Sequence, residues 1–174
     1  MPARENDAGA AYRDIHYRDA TFDDLQALLD VQERVPQAPQ WSPNGMRATL
    51  AAAVPLSIAE RPSVERVVLL ATEGSRIVGY VVASMVLETA ELESLAVLAE
   101  VRGQGIGRAL LQQAMEEVRS RGACAMQLEV DSTNFAAVRL YASMGFVTEG
   151  TRPNYYSSAH GGSFTDALLM GRAL

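Results

Sequence analysis

Lysine is absent from this 174-residue chain, cysteine and tryptophan each occur once, and histidine occurs twice. These shortages close several classes of function. A single cysteine, Cys124, excludes an intrachain disulfide and a Cys-rich zinc site. His16 and His160 add too few ligands to complete a structural zinc, so no metal is expected. Without lysine, the phosphate-binding pattern GxxxxGK[ST] cannot be written anywhere in the chain. No apolar run reaches the roughly 20 residues of a membrane helix, and residues 1–14 lack the apolar core of a secretory signal. A cytoplasmic protein without a membrane partner is therefore expected. All 15 basic residues are arginines, set against 21 acidic ones, for a net charge of −6. Direct nucleic-acid binding runs on clustered positive charge and is not expected here. The acidic balance suits a basic partner better.

What is present is the composition of a globular chain, 48% hydrophobic and 21% charged, and its length fits one domain. Residues 1–14, rich in Ala, Gly and charge, read as a flexible tail, leaving 15–174 as the domain. Residues 15–19 alternate as a strand. Thr21, with Asp24 three residues on, opens an amphipathic helix that Pro36 and Pro39 stop. Ser42-Pro43 reads as a cap and first residue of a second helix running toward Leu50. Pro55 and Pro62 bound a connection with no assigned structure. Residues 67–71 and 77–87 read as a buried hairpin, with a turn at Thr89-Ala90 and another strand over 92–97. A long helix then carries Leu110, Leu111, Ala114, Met115 and Val118 on one side, and Gly122 ends it. Residues 126–130 form a strand, 134–144 a helix stopped at Gly145, and 146–148 and 164–170 the last strands. Cys124 is expected to pack near a strand start, and Met126, Met144 and Met170 in the core. The order is mixed α and β, with no repeat.

Between strand 92–97 and the long helix lies Arg102-Gly103-Gln104-Gly105-Ile106-Gly107-Arg108. Glycines let the backbone approach a ligand closely, and a helix start offers unpaired N–H groups and a positive dipole end to a phosphate. Arg102 and Arg108 add charge. Three spaced glycines fit a ligand-free turn equally well. A dinucleotide fingerprint, GxGxxG, fails on spacing from either start, because Leu110 or Arg108 stands where the last glycine belongs.

The loop, following an apolar strand and preceding a long helix, resembles the acetyl-CoA loop of the GNAT N-acetyltransferase superfamily. The likeness continues through Leu128-Glu129-Val130, Asn134, Leu140-Tyr141-x-x-x-Gly145-Phe146, Asn154-Tyr155-Tyr156 and Asp166-Ala167-Leu168-Leu169-Met170. In particular the series is similar to RimI-type ribosomal-protein-alanine N-acetyltransferases, and Trp41-Ser42 resembles that family's Pro-Trp-Ser. Two departures stand out. Residues 98–101 contain no proline before the loop, and the segment around 54–65 lengthens the chain near the acceptor side.

The resemblance implies a GNAT fold, α/β with a mixed, mostly antiparallel sheet and helices on both faces. It implies direct acetyl transfer from acetyl-CoA to a primary amine, first of all a basic protein N-terminus. A small-molecule amine, or a non-catalytic acyl-CoA sensor, is the alternative. Acetyl-CoA would be held by the backbone of Leu95, Ala96 and Val97, by Arg102 to Arg108 through Gly103, Gln104, Gly105, Ile106 and Gly107, and by Asn134. Read from the strand pattern alone, Glu129 is either an outward carboxylate in water, the commoner case, or a partly desolvated one whose raised pKa would suit a general base. The resemblance makes it the general base, with Glu93 on the neighbouring strand as the other choice. Tyr141, otherwise a core tyrosine, becomes the general acid for the thiolate. Tyr155 and Tyr156 join the acceptor groove, and His160 needs no role.

Overall fold

In the computed structural model, which describes residues 14–53, 64–157 and 164–174, the chain order begins β1 (Ile15–Asp19), α1 (Leu25–Glu33), α2 (Pro43–Ala53) and β2 (Glu65–Glu73). It continues β3 (Arg76–Val86), β4 (Thr89–Val97), α3 (Ile106–Ser120), β5 (Ala125–Asp131), α4 (Phe135–Ser143), β6 (Val147–Ser157) and β7 (Phe164–Ala173). The strands form one seven-stranded sheet ordered β1-β2-β3-β4-β5-β7-β6. Every pairing is antiparallel except β4 with β5. Parallel neighbours need a crossover, and α3 supplies it.

The near-continuous apolar runs of β2 and β3 are buried along almost their whole length, at 67–72 and 77–85. Strands of that kind must be covered on both faces. Helices α1 and α2 pack together against β2 and β3, and α3 lies against β2, β3 and β4 with Leu110, Leu111, Ala114, Met115 and Val118 buried. The expected mixed sheet with helices on both faces is present. β5, by contrast, alternates, with Met126, Leu128 and Val130 inward and Gln127 and Glu129 turned to the other face.

The polar residues of the first half act as fasteners. The Asp24 carboxylate accepts from the Thr21 N–H and Oγ1 and from both Arg18 guanidinium nitrogens, at 2.6–3.0 Å. These donors pull its pKa down to about 2, the Arg18 hydrogen bond most of all and against its own burial. Buried Gln32 donates to the Trp41 carbonyl at 2.7 Å and accepts from the Trp41 N–H at 3.1 Å, pinning the link between α1 and α2. Ser42 Oγ accepts from the Gly45 N–H, as its expected capping role requires.

Two expectations need correction. The β3–β4 turn is Leu87-Glu88, because Val86 pairs with Thr89, and Thr89 and Ala90 already belong to β4. Leu87 takes φ 55°, a conformation no glycine or asparagine there advertised. Cys124 is exposed, not packed: Ala123, just before it, is the residue that turns inward. Met126, Met144 and Met170 are in the core as expected. Residues 1–13 of the expected tail at 1–14, residues 54–63 of the connection, and His160 lie outside the described residues.

Gly79, opposite Val97, sits where a Cβ would stand 2.8 Å from the Ala96 carbonyl oxygen. A backbone atom cannot step aside cheaply. Gly79→Ala is therefore expected to cost about 1–3 kcal/mol, read as a lowered Tm in a thermal melt.

Candidate active site

The parallel pairing of β4 with β5 is short. It joins Thr89 through Leu92 to Ala125 through Leu128 and stops there. Beyond it β4 stays with β3 as far as Val97, and β5 stays with β7 as far as Asp131. A bulge at Glu93, skipped between the pairs Val82–Ser94 and Ala83–Leu92, starts the divergence. The result is a wedge whose two sides are backbone edges, one carrying Leu95, Ala96 and Val97 and the other Glu129. Edges of this kind offer N–H and C=O groups to a polar extended ligand. The Leu95 and Val97 side chains pack toward Gly107 in the first turn of α3.

At the far end of β4 the chain makes a short turn, Ala99–Val101, and then the glycine loop. Gly103 and Gly105 take φ of 77° and 81°. Gly105 stands immediately before α3, and the first helical hydrogen bond runs from the Ala109 N–H to the Gly105 carbonyl. The N–H groups of Ile106, Gly107 and Arg108 precede that ladder, the arrangement an anion needs. Arg102 donates through Nε to the Val97 carbonyl at 3.0 Å, tying loop to strand. Arg108 donates to Ser143 Oγ at 2.6 Å and so tethers α3 to α4. Both are exposed, as is Gln104, while Ile106 is buried. In the stretch before the loop, which lacks the proline common in the family that the chain resembles, Glu100 does the anchoring. It accepts from Arg34 at 2.6 Å and from Arg76, bridging α1, β3 and the loop.

Three carboxylates cluster where the β4–β5 ladder ends: Glu91, Glu93 and Glu129. Glu91 has its pKa raised, first by burial and then by the charges of Glu93 and Glu129, with Arg152 opposing. Glu93 is held bidentately by Arg66, at 3.0 Å on both oxygens, and the two side chains are only 18% and 25% exposed. Among the described residues Glu129 makes one ion pair, Oε1 to Arg152 Nη1 at 3.0 Å, with the arginine 53% exposed. Of the two choices for a base, Glu93 is engaged on both oxygens and Glu129 on one.

Tyr141 is 7% exposed, and the cap of α4 explains its place. Gly145, at φ 86°, donates to the Ala142 carbonyl, and Phe146 N–H donates to the Tyr141 carbonyl at 3.1 Å. That is the Schellman stop, which brings the residue after the glycine onto the one five positions earlier. The Tyr141 and Phe146 rings accordingly meet edge to face with centroids 6.0 Å apart. The spacing in Leu-Tyr-x-x-x-Gly-Phe is thus a helix cap; only the phenol is left for chemistry. Burial, and secondarily Tyr156, push that phenol well above its usual range, so it stays protonated. Tyr156 lies within electrostatic reach of Glu129 as well, and its own pKa is raised by burial first and then by Glu129. Asn134 caps α4, its Oδ1 accepting from the Ala137 N–H.

The acetyltransferase (GNAT) family model matches residues 23–146, from the start of α1 to the cap of α4. The chain belongs to this family. A GNAT relative, the ribosomal protein bS18-alanine N-acetyltransferase of Escherichia coli strain K12, is 36% identical over 99 residues, 57% of this chain and 66% of that protein. The chain thus spans just under two thirds of that relative's length. Among solved GNAT structures, the ribosomal-protein-S18-alanine N-acetyltransferase from Escherichia coli superposes with a TM-score of 0.74 at 28% identity, covering 91% of this chain and 93% of that one. The ribosomal-protein-alanine N-acetyltransferase from Brucella melitensis gives 0.74 at 27%, covering 91% and 99%. Sequence reasoning missed Glu91, Arg66 and Arg152, whose roles rest on cross-strand register. Alternation places Glu91 on the face of Glu93, but nothing local ties Arg66 or Arg152 to a carboxylate on another strand.

Proposed function

We propose that this protein transfers the acetyl group of acetyl-CoA to the α-amine of a protein N-terminus, of the ribosomal-protein-alanine type. The observation that carries this reading is the wedge itself: an open backbone edge, a phosphate-ready helix start at one end, a carboxylate on the other edge, and a protonated phenol on α4, the helix that Arg108 and Ser143 tie to the loop's helix. The pantetheine arm lies along Leu95 to Val97 and the pyrophosphate on the loop before α3. The amine attacks the thioester carbonyl, a C–N bond forms and the C–S bond breaks. Glu129 takes the proton the amine releases, directly or through water, and Tyr141 gives one to the departing thiolate. A backbone N–H of the β4 edge steadies the developing oxyanion. A ribosomal-protein acceptor puts the reaction in the cytoplasm.

The choice of an α-amine has an energetic ground. Such an amine has a pKa near 7.7–8.0, against about 10.4 for a lysine side chain, so at pH 7 deprotonation costs about 1 kcal/mol rather than 4–5. The expected result is acetylation of a short peptide with a free amino-terminal Ala followed by basic residues, read by mass spectrometry. Blocking that terminus while leaving its lysines free should remove most of the activity. Equal activity on the blocked peptide, or turnover only with polyamines or other small amines, would overturn the α-amine reading. Acetyl-CoA binding without any turnover would favour a sensor.

A further inference from the structure

The ion pair between Glu129 and Arg152 does more than fill space. In the register of the sheet, Glu129 on β5 pairs with Leu169 on β7, which pairs with Gly150 on β6. Arg152 is two residues past Gly150 and opposite the small, fully buried Ala167, so it lies on the same face as Glu129 with one strand between them. Its long side chain crosses β7 to bring Nη1 within 3.0 Å of Glu129 Oε1. The contact is single rather than bidentate, and the guanidinium is half exposed. While on Glu129 the same guanidinium also lies over the Tyr155 ring, its Cζ 5.6 Å from the ring centre. The backbone around it is built for display. Immediately after Arg152 the β6–β7 register jumps, resuming at Tyr156 opposite Thr165. Within that bulge Asn154 has φ 55° and is held through its N–H by Asp166 Oδ1 at 3.0 Å.

A cationic amine approaching Glu129 meets the guanidinium already on that carboxylate. Glu93 does not substitute as a partner for Arg152, since it is taken by Arg66; Glu91, whose charge Arg152 also offsets, draws the guanidinium to the same cluster of carboxylates. We infer that Arg152 is an acceptor-specificity residue: it holds the carboxylate edge that the acceptor's ammonium needs, and stays over the Tyr155 ring when the acceptor takes its place on Glu129. Arg152 thereby sets a threshold for acceptors. A peptide long enough to draw the guanidinium away, or to replace its contacts with those of Tyr155 and Tyr156, enters; a small isolated cation competes poorly. The inference rests on the reading of Glu129 as the group that receives the amine.

The test is steady-state kinetics of the full chain and of the R152A and R152K variants, with the amino-terminal Ala peptide and with a small amine, at 0.1 M and 1 M salt. R152A is expected to lower the acceptor KM about two- to fivefold, the span of one exposed ion pair, with kcat within about twofold. The gain should be larger for the small amine than for the peptide, and R152K should fall between. It should persist at 1 M salt, where the Debye length is about 3 Å, because a direct contact is being released. Low-millimolar guanidinium chloride should compete with the acceptor more strongly in R152A than in the parent. Protection by acetyl-CoA in a thermal melt, equal in all three proteins, controls for folding. An unchanged KM, a gain that vanishes at high salt, or a fall in kcat restored by R152K would each overturn the inference; the last would make Arg152 a positioning residue for Glu129. If only the small amine is turned over, the α-amine reading fails while the Arg152 comparison is still read on that amine. If no amine is turned over, both fail.

Discussion

Gly105→Glu is expected to abolish acetyl-CoA binding. Gly105 takes φ 81° and ψ −1° as the last residue before α3, so it is the hinge on which the loop turns into the helix. A left-handed conformation costs an L-residue roughly 1–2 kcal/mol, and a glutamate adds a negative charge beside the N–H groups of Ile106, Gly107 and Arg108. Strain and charge separate cleanly, because a Cβ at this position would meet nothing within 4 Å. Gly105→Ala carries the strain without the charge and should weaken binding while retaining it. A ligand specific for the native state at 100 times its Kd stabilises by about 2.7 kcal/mol. For a chain of this size that is a rise in Tm of roughly 5–10 °C. The parent should show that rise on adding acetyl-CoA, Gly105→Ala a smaller one and Gly105→Glu none. An undiminished shift in Gly105→Glu would remove the loop from the cofactor site.

The loop was legible in the sequence because its physics is local. A glycine before a helix start, flanked by arginines and preceded by an apolar strand, is visible in seven consecutive letters. Helix stops were legible for the same reason, as Gly122 and Gly145 show. The residues that could not be read act across strands. Arg66 meets Glu93 from β2 with β3 between them, and Arg152 meets Glu129 from β6 with β7 between them. Neither pairing leaves a local pattern, since register and bulges decide which side chains become neighbours. The bulge at Glu93 matters twice. It ends the β4–β5 ladder and re-aims a carboxylate, yet the letters Glu-Leu-Glu-Ser-Leu read as an uninterrupted strand. The Leu87-Glu88 turn was misplaced for a related reason: a two-residue hairpin closed without glycine or asparagine has no signature. Leu-Tyr-x-x-x-Gly-Phe was legible as a motif for a reason unconnected to catalysis, its spacing being that of a helix cap. A family signature can therefore mark the scaffold as faithfully as the chemistry, and the two are separated only by changing the reacting atom alone.

Glu129→Gln is such a change. Glutamine keeps the size of the side chain, and its amide oxygen can still accept from Arg152, so folding and acetyl-CoA protection should be preserved. What is lost is the ability to take a proton from the amine, and loss of a general base typically costs 10²–10⁴-fold in rate. The deficit should shrink as pH rises. With an α-amine pKa near 7.7–8.0, about 10% of the acceptor is neutral at pH 7 and over 90% at pH 9, so the variant should regain up to about tenfold from the acceptor alone. Glu93→Gln is the internal comparison. It breaks one of the two oxygens' contacts with Arg66, a bidentate pair on the side of the wedge away from Glu129, and is expected to cost stability more than turnover. A larger kinetic loss in Glu93→Gln than in Glu129→Gln would move the base to β4. Tyr141→Phe closes the argument from the leaving-group side. It preserves the edge-to-face contact with Phe146 and the Schellman cap, so α4 should remain intact and acetyl-CoA should still protect the protein. Removing only the hydroxyl of a phenol that burial keeps protonated should lower kcat about 100-fold or more, with the acceptor KM little changed. The loss should also be smaller for an acyl donor whose leaving thiol is more acidic, because such a thiolate departs without a proton. An equal loss with both donors would show that Tyr141 contributes packing and position rather than the proton.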